Sequence, residues 1–344
     1  MRKITFILVA LVALAWTKTA SAAPSKNLNI YCWSEYIPQG IIDEFAKQTG
    51  IKVTVENYAS NEEMLSKLAA GGGLYDIIQP SEYVIEALAK EKLLHTIDHA
   101  KIPNLKNIAP QFLNMAFDPG NKFSVPFMAG TIGIVVNTDL VKEDVRGFAD
   151  VFKPANKGKI VVLDDAREIV SWALATNGID VNHVTEKNLN KIKPTLEQWL
   201  PLVKVYDSDS PKTALLNGDA ALGVVWGGEG AILLNKNKKF RWVIPSEGTH
   251  LFIDSLAIPK SAKNVENAEA FMNFILRPDI SKQISDEFPY LNPNLAAREL
   301  MTKKQLENPA SFPTDEEVKK MDIFKDIGTR GSDVEELITT LKAQ

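Results

Sequence analysis

From Asn27 to Glu91 the chain alternates strand and helix patterns three times, and this alternation restricts its fold more than any other feature. Asn27 to Trp33 is a short apolar run that reads as a strand. Ile41, Ile42, Phe45 and Ala46 then mark one face of a helix that stops near Gly50. Lys52 to Tyr58 alternates Val53 and Val55 with polar neighbours, which predicts a second strand. Ser60 and Glu63 have the spacing of a capping box for a helix running to Gly71-Gly72-Gly73. Tyr75 to Gln79 is a third strand and Ser81 to Glu91 a third helix. A βαβαβα order demands a parallel sheet with helices on its faces, because a helical crossover returns each strand to the same direction.

A second α/β set begins after Ala129. Thr131 to Asn137, Lys159 to Leu163, Ala220 to Trp226, Trp242 to Pro245 and Phe252 to Pro259 read as strands. Ala166 to Thr176, Asn264 to Leu276 and Asp279 to Phe288 read as helices. There is no repeat and no low-complexity tract, so two α/β lobes joined by extended crossovers fit the pattern best.

One junction carries chemistry. The strand Val161-Val162-Leu163 runs into Asp164-Asp165-Ala166-Arg167-Glu168 and then a helix. Carboxylates thus gather at the carboxyl end of a strand, where open α/β sheets bind ligands. With Trp33, Trp226 and several tyrosines elsewhere, they suit an organic cation whose ammonium groups are paired and whose methylenes lie on aromatic faces. Asp165 and Glu168 also fit a helix cap, and a capping carboxylate keeps lone pairs for a second partner.

The amino terminus reads as an export signal over residues 1–22. Arg2 and Lys3 precede the apolar stretch Ile4 to Trp16, which ends before Ala20-Ser21-Ala22. That stretch is too short to span a bilayer comfortably. Removal of residues 1–22 takes Arg2, Lys3 and Lys18 and no acid, so the net charge of −4 becomes −7. An acidic exported chain disfavours nucleic acid and anionic membranes as partners. The single cysteine, Cys32, has no partner for an internal disulfide and reads as a small buried hydrophobe. The periplasm is the expected compartment.

Strong enzymatic and metal signatures are missing. The chain has no Gly-x-Ser-x-Gly elbow, P-loop or Cys-x-x-Cys pair. Gly71 to Gly73 precede a strand and so cradle no phosphate. His95 and His99 lack a nearby third ligand, and His183 and His250 offer no obvious general base. No cofactor, metal or catalytic group is expected.

Six short segments, taken together, carry a resemblance. They are Tyr31 to Pro38 (YCWSEYIP), Gln79 to Tyr83 (QPSEY), Asp164 to Glu168, Val225 to Gly227, Asp254 to Pro259 (DSLAIP) and Asn292 to Arg298 (NPNLAAR). In order and spacing the chain resembles the periplasmic spermidine/putrescine-binding proteins of polyamine ABC transporters. The resemblance implies a type II periplasmic binding protein fold, two α/β lobes with a ligand cleft between them. It places the lobes at 23–130 plus 254–298 and at 131–253 plus 299–344, with crossing strands as hinge. It makes Trp33, Tyr36, Trp226 and Tyr290 aromatic walls, and Asp165, Glu168 and Asp254 partners of the amines. Ser81 and Tyr83 line the cleft, Ser34 and Ser208 supply hydroxyls, and Glu35 falls near a terminal amine.

Two positions bear on the ligand. The spermidine-type pattern has Trp where this chain has Phe252 and Gln near Phe324, and the putrescine type has Phe and an apolar residue. Asp165 and Tyr83 look like the spermidine type, whereas Ser34 looks like the putrescine type. Three carboxylates match three ammonium charges, which favours spermidine over putrescine, since a diamine leaves one acid unmatched. The implied partner is an inner-membrane permease, and the protein is expected to act singly, as a monomer. Alternatives are a sensor subunit reporting polyamine to a receptor, or the same fold holding another small organic cation.

Overall fold

The structure, a computed structural model, describes residues 25–70 and 74–344. The export signal expected over residues 1–22, and Gly71 to Gly73, lie outside the described residues. Ten strands lie among the described residues: β1 Asn27–Trp33, β2 Lys52–Tyr58, β3 Ile77–Ile78, β4 Ser124–Asn137, β5 Ile160–Val162, β6 Val203–Tyr206, β7 Leu222–Trp226, β8 Phe240–Val243, β9 Thr249–Ala257 and β10 Met321–Asp322. They run in the order β2-β1-β3-β9-β4-β7-β5-β6, with β8 on β4 and β10 on β9.

The opening alternation folds as its pattern demands. β1 pairs in parallel with both β2 and β3. The helix Gln39–Thr49 between β1 and β2 buries Ile41, Ile42 and Phe45 and ends at Gly50, whose φ of 72° is easy only for a residue without a Cβ. Ser60 accepts the Glu63 backbone N–H, and Glu63 reaches back to Ala59, so the helix Asn61–Ala69 starts on side-chain caps. Phe45 meets Phe271 and Phe274 of the helix Val265–Ile275 at 5.0 and 5.2 Å between ring centroids, which fills the core under this half of the sheet. The sheet is not wholly parallel, however. β9 enters antiparallel to β3 and to β4, because it arrives from the other half of the molecule.

β4 and β9 tie the two halves together. Residues 124–131 of β4 pair with β9, and residues 132–137 of the same strand pair with β7 and β8. All fourteen residues of β4 and all nine of β9 are buried, so neither strand shows the half-exposed alternation of a surface sheet. In the second half β5, β6 and β7 run parallel to one another, as strand–helix–strand units must.

Several boundaries differ from the sequence pattern. The third strand shrinks to Ile77–Ile78; Asp76 still donates its backbone N–H to the Asn29 carbonyl at 2.8 Å, but the Asn29 N–H returns to the Asp76 carboxylate instead of to a backbone carbonyl. Asp76 caps the turn before the helix at Val265, accepting the Lys263 and Asn264 backbone N–H groups. The strand expected at Trp242 to Pro245 starts two residues earlier, at Phe240. The helices Glu186–Trp199, Gly227–Lys236 and Arg330–Lys342 are not among those the sequence pattern leads us to expect. The first contains Pro194 and the second begins Gly-Gly-Glu-Gly, residues that disfavour a helix by local propensity alone.

Candidate functional site

Strand β9 organises the site. Side chains alternate across a strand, so His250, Phe252 and Asp254 share one face while Leu251 and Ile253 share the other. The first set lines a cavity at the junction of the two sheet halves, and the second lines a separate apolar groove. The cavity has about 520 Å³ of empty space, its open mouth included.

Five aromatic rings form a continuous wall. Trp33, from the end of β1, faces Trp226, from the end of β7, at 6.4 Å and 61°. Trp226 meets Phe252 edge-on at 5.5 Å, Phe252 meets Tyr290 at 6.1 Å, and Tyr290 meets Tyr36 at 5.1 Å. Two glycines make room for this wall. A Cβ on Gly130 would lie 2.4 Å from the Phe252 ring, and one on Gly228 would lie 2.5 Å from the Tyr290 ring. The Trp226 indole N–H donates to the Ser208 carbonyl at 2.9 Å, which fixes the plane of that ring.

Asp254 is the chemical centre of the wall. It is 2 % exposed and accepts hydrogen bonds from the Ser81 hydroxyl at 2.6 Å and the Tyr36 hydroxyl at 2.8 Å. Neither partner is charged, and no cationic side chain among the described residues forms an ion pair with it. Burial pushes its carboxyl up to about 7, against the pull of the two hydroxyls. A carboxylate in this setting attracts any cation that can reach it. Ser81 is held in turn by Asn61, whose amide also donates to the Tyr83 hydroxyl at 2.9 Å.

The opposite wall comes from the junction after β5. Asp165 caps the helix Ala166–Thr176 by accepting the Glu168 backbone N–H at 3.0 Å. It is buried, and burial together with Glu62 and Glu168 holds its carboxyl well above the ordinary range. The cap and the ligand-site readings of this motif therefore coexist, since one side-chain oxygen serves the helix and the residue still lines the cavity. Glu168 Oε1 lies within hydrogen-bond distance of His250 Nδ1, at 2.6 Å, while its Oε2 is buried without a protein partner. Trp33 Nε1 and Ser208 Oγ are likewise buried and unpartnered beside the same cavity.

Thirteen of the fourteen residues expected at the site line this cavity: Trp33, Ser34, Tyr36, Ser81, Tyr83, Asp165, Glu168, Ser208, Trp226, Phe252, Asp254, Tyr290 and Phe324. Glu35 is placed differently. Its φ is 52°, an unusual value for a residue with a Cβ, and its carboxylate forms an ion pair with Lys212 at 2.7 Å, outside the lining. Four lining residues escaped sequence reasoning: Asn61, Arg167, Asp209 and His250. Arg167 lies inside the Asp164 to Glu168 segment, and His250 falls before the strand expected from Phe252, which in the structure begins at Thr249 and so carries His250 on the face of Asp254.

Comparisons with known proteins agree with this geometry. Residues 40–314 match the family model described as bacterial extracellular solute-binding protein. The chain is 37% identical to the spermidine/putrescine-binding periplasmic protein of Escherichia coli K12, covering 100% of this chain and 99% of that one. It is 34% identical to the putrescine-binding periplasmic protein SpuD of Pseudomonas aeruginosa, over 90% of this chain and 89% of that one. Among solved structures, a putative spermidine/putrescine ABC transporter protein from Listeria monocytogenes superposes with a TM-score of 0.89 at 34% identity, over 92% of this chain and 99% of that one. From the fold, the cavity at its centre and matches along its whole length, the chain belongs to the bacterial extracellular solute-binding proteins, a periplasmic family with the type II binding-protein architecture.

Proposed function

We propose that this protein is the periplasmic component of an ABC importer, capturing a polyamine in its central cavity and carrying it to a membrane permease. The observation that carries the reading is Asp254, a buried carboxylate held by two neutral hydroxyls inside a wall of five aromatic rings. An ammonium group supplies the missing charge, and the methylenes beside it lie against indole and phenol faces. The protein makes and breaks no covalent bond in this role.

Capture proceeds by closure of two lobes, 23–130 plus 254–298 and 131–253 plus 299–344, about β4 and β9. Contacts that bridge these lobes support a closed state. The Ser34 hydroxyl donates to Asp209 at 2.7 Å, and Glu35 meets Lys212. Ligand contacts with Ser81 and Asp254 on one side and Asp165 and Trp226 on the other would bias the equilibrium toward closure. The closed monomer then presents both lobes to the permease.

The test is isothermal titration of the chain from residue 23, refolded free of ligand, with putrescine, spermidine, spermine and lysine. One-site binding at about micromolar affinity or tighter, with lysine silent, is the expected result. Silence toward all the polyamines would reject the reading.

A further inference from the structure

Strand β9 has a second lined face. Leu251 and Ile253, which point away from the amine cavity, line an open groove with about 1260 Å³ of empty space, its mouth included. Met115, Val318, Met321 and Ile323 complete its apolar walls, and each is only half buried. Apolar surface left in water at a concave site favours an occupant that covers it. Arg298 lines the same groove, carried there by the helix Leu295–Arg298 that Asn294 caps. Its Nε donates to the Asn292 carbonyl at 2.5 Å, and its guanidinium sits over the Phe112 and Phe312 rings, 6.0 and 5.4 Å from their centroids. The outer edge of the guanidinium is different. Nη2 is buried with no acceptor, and Nη1 bonds to nothing among the described residues. Loss of water holds Arg298 below the usual arginine range, with no carboxylate near enough to offset it.

We propose that the groove on the reverse face of β9 is a second ligand site, for an amphiphilic monocarboxylate whose head pairs with Arg298 and whose alkyl chain lies along Leu251, Ile253 and Met321. The site is separate from the amine cavity, and the inference stands whether or not that cavity takes a polyamine. Three features select this class of ligand. A planar carboxylate fits the outer edge of a guanidinium, which offers it two parallel N–H donors. A guanidinium stripped of water and left without a counter-ion is costly, so an anion that reaches it recovers that cost. The other charges of the lining, Asp315 and Lys319, are both exposed and opposite in sign, so Arg298 sets the net charge of the groove. A cation is therefore disfavoured here, and an uncharged alkyl chain gains only apolar contact.

The experiment titrates the chain from residue 23 with octanoate and with octanol, its uncharged counterpart, and repeats both on Arg298→Gln and Val318→Trp. The expected result is one-site binding of octanoate by the wild type, about tenfold or more tighter than octanol, since only the acid makes the guanidinium contact. Arg298→Gln should bring the two affinities within about threefold of each other. Val318→Trp sets a large ring at the half-buried wall and should weaken both ligands by about fivefold or more. A melting curve reports whether Arg298→Gln folds; if it does not, the wild-type ratio and Val318→Trp decide. Silence of the wild type toward octanoate, equal affinities for acid and alcohol, unchanged binding in Val318→Trp, or an unmoved ratio in a folded Arg298→Gln would overturn the inference. So would a wild-type dimer in light scattering that Val318→Trp breaks, because a second copy would then cover the groove.

Discussion

Replacing Asp254 by Asn keeps the shape of the side chain and removes its charge. Ser81 and Tyr36 both donate to the carboxylate, and each hydroxyl can rotate to accept from the new amide instead. The fold should therefore tolerate the change, and its stability should hold or rise. The sign follows from the carboxyl being pushed up to about 7 by burial. The folded protein binds this proton more tightly than the unfolded chain, so the ionised form costs stability as pH climbs above about 4. Asn removes that cost. Ligand affinity should move the other way. A hydrogen bond between charged groups contributes about 1.5–3 kcal/mol, and leaving an ammonium buried without its counter-ion costs about 3–5 kcal/mol. At about 1.4 kcal/mol per tenfold, the smaller effect alone is more than about tenfold and the larger exceeds about a hundredfold. Titration of the ligand-free variant at pH 8, beside a melting curve, separates the two effects. An affinity within about threefold of wild type would remove Asp254 from the site. Lost affinity with a collapsed melting temperature would make its role structural.

The remaining expectations follow from neighbouring groups. Because a bound ammonium favours ionised Asp254, affinity should rise as pH climbs through about 7, with protons released on binding, and this dependence should weaken in Asp254→Asn, with Asp165 supplying what remains; equal heats in buffers of different ionisation enthalpy would contradict it. Trp226→Leu keeps an apolar wall and loses the π face, so affinity should fall about three- to thirtyfold, read by titration. Gly130→Ala would drive a Cβ into the Phe252 ring and should destabilise the fold by about 1–3 kcal/mol in urea unfolding. Burial alone would push His250 down, but Glu168 and Glu82 lift it to about 10. Its stabilisation is complete below about pH 6.5 and fades as pH rises toward 10. The melting-temperature gap between wild type and His250→Gln should shrink over that range, and a constant gap would refute the ion triad.

Much of the fold was legible because its signals are local. β1 and β2 fall on the residues their apolar patterns predict, and the helix Ala166–Thr176 follows directly from its Asp165 cap. The helix Glu186–Trp199 was hidden by Pro194, whose helix-breaking tendency is outweighed by burial of Leu189, Ile192, Leu196 and Trp199. The site was legible for a different reason. The carboxylates after β5 stood out by their place at a strand end, and most of its other residues were named by the resemblance of six short segments to a known family.

The sequence by itself determined the α/β class, the order of the first six elements and the chemical character of the cavity, since strand and helix periods and side-chain types are properties of neighbours in the chain. It also placed Asp165, Glu168 and Asp254 among the acids of the site. Only the tertiary structure decided which of those acids are free. Glu35 is 177 residues from Lys212, Glu168 is 82 from His250, and Asp254 is 173 from Ser81. Whether a buried carboxylate keeps its charge for a ligand depends on what lies within about 3 Å of it in space, and separations of this size carry no periodic signal in the chain.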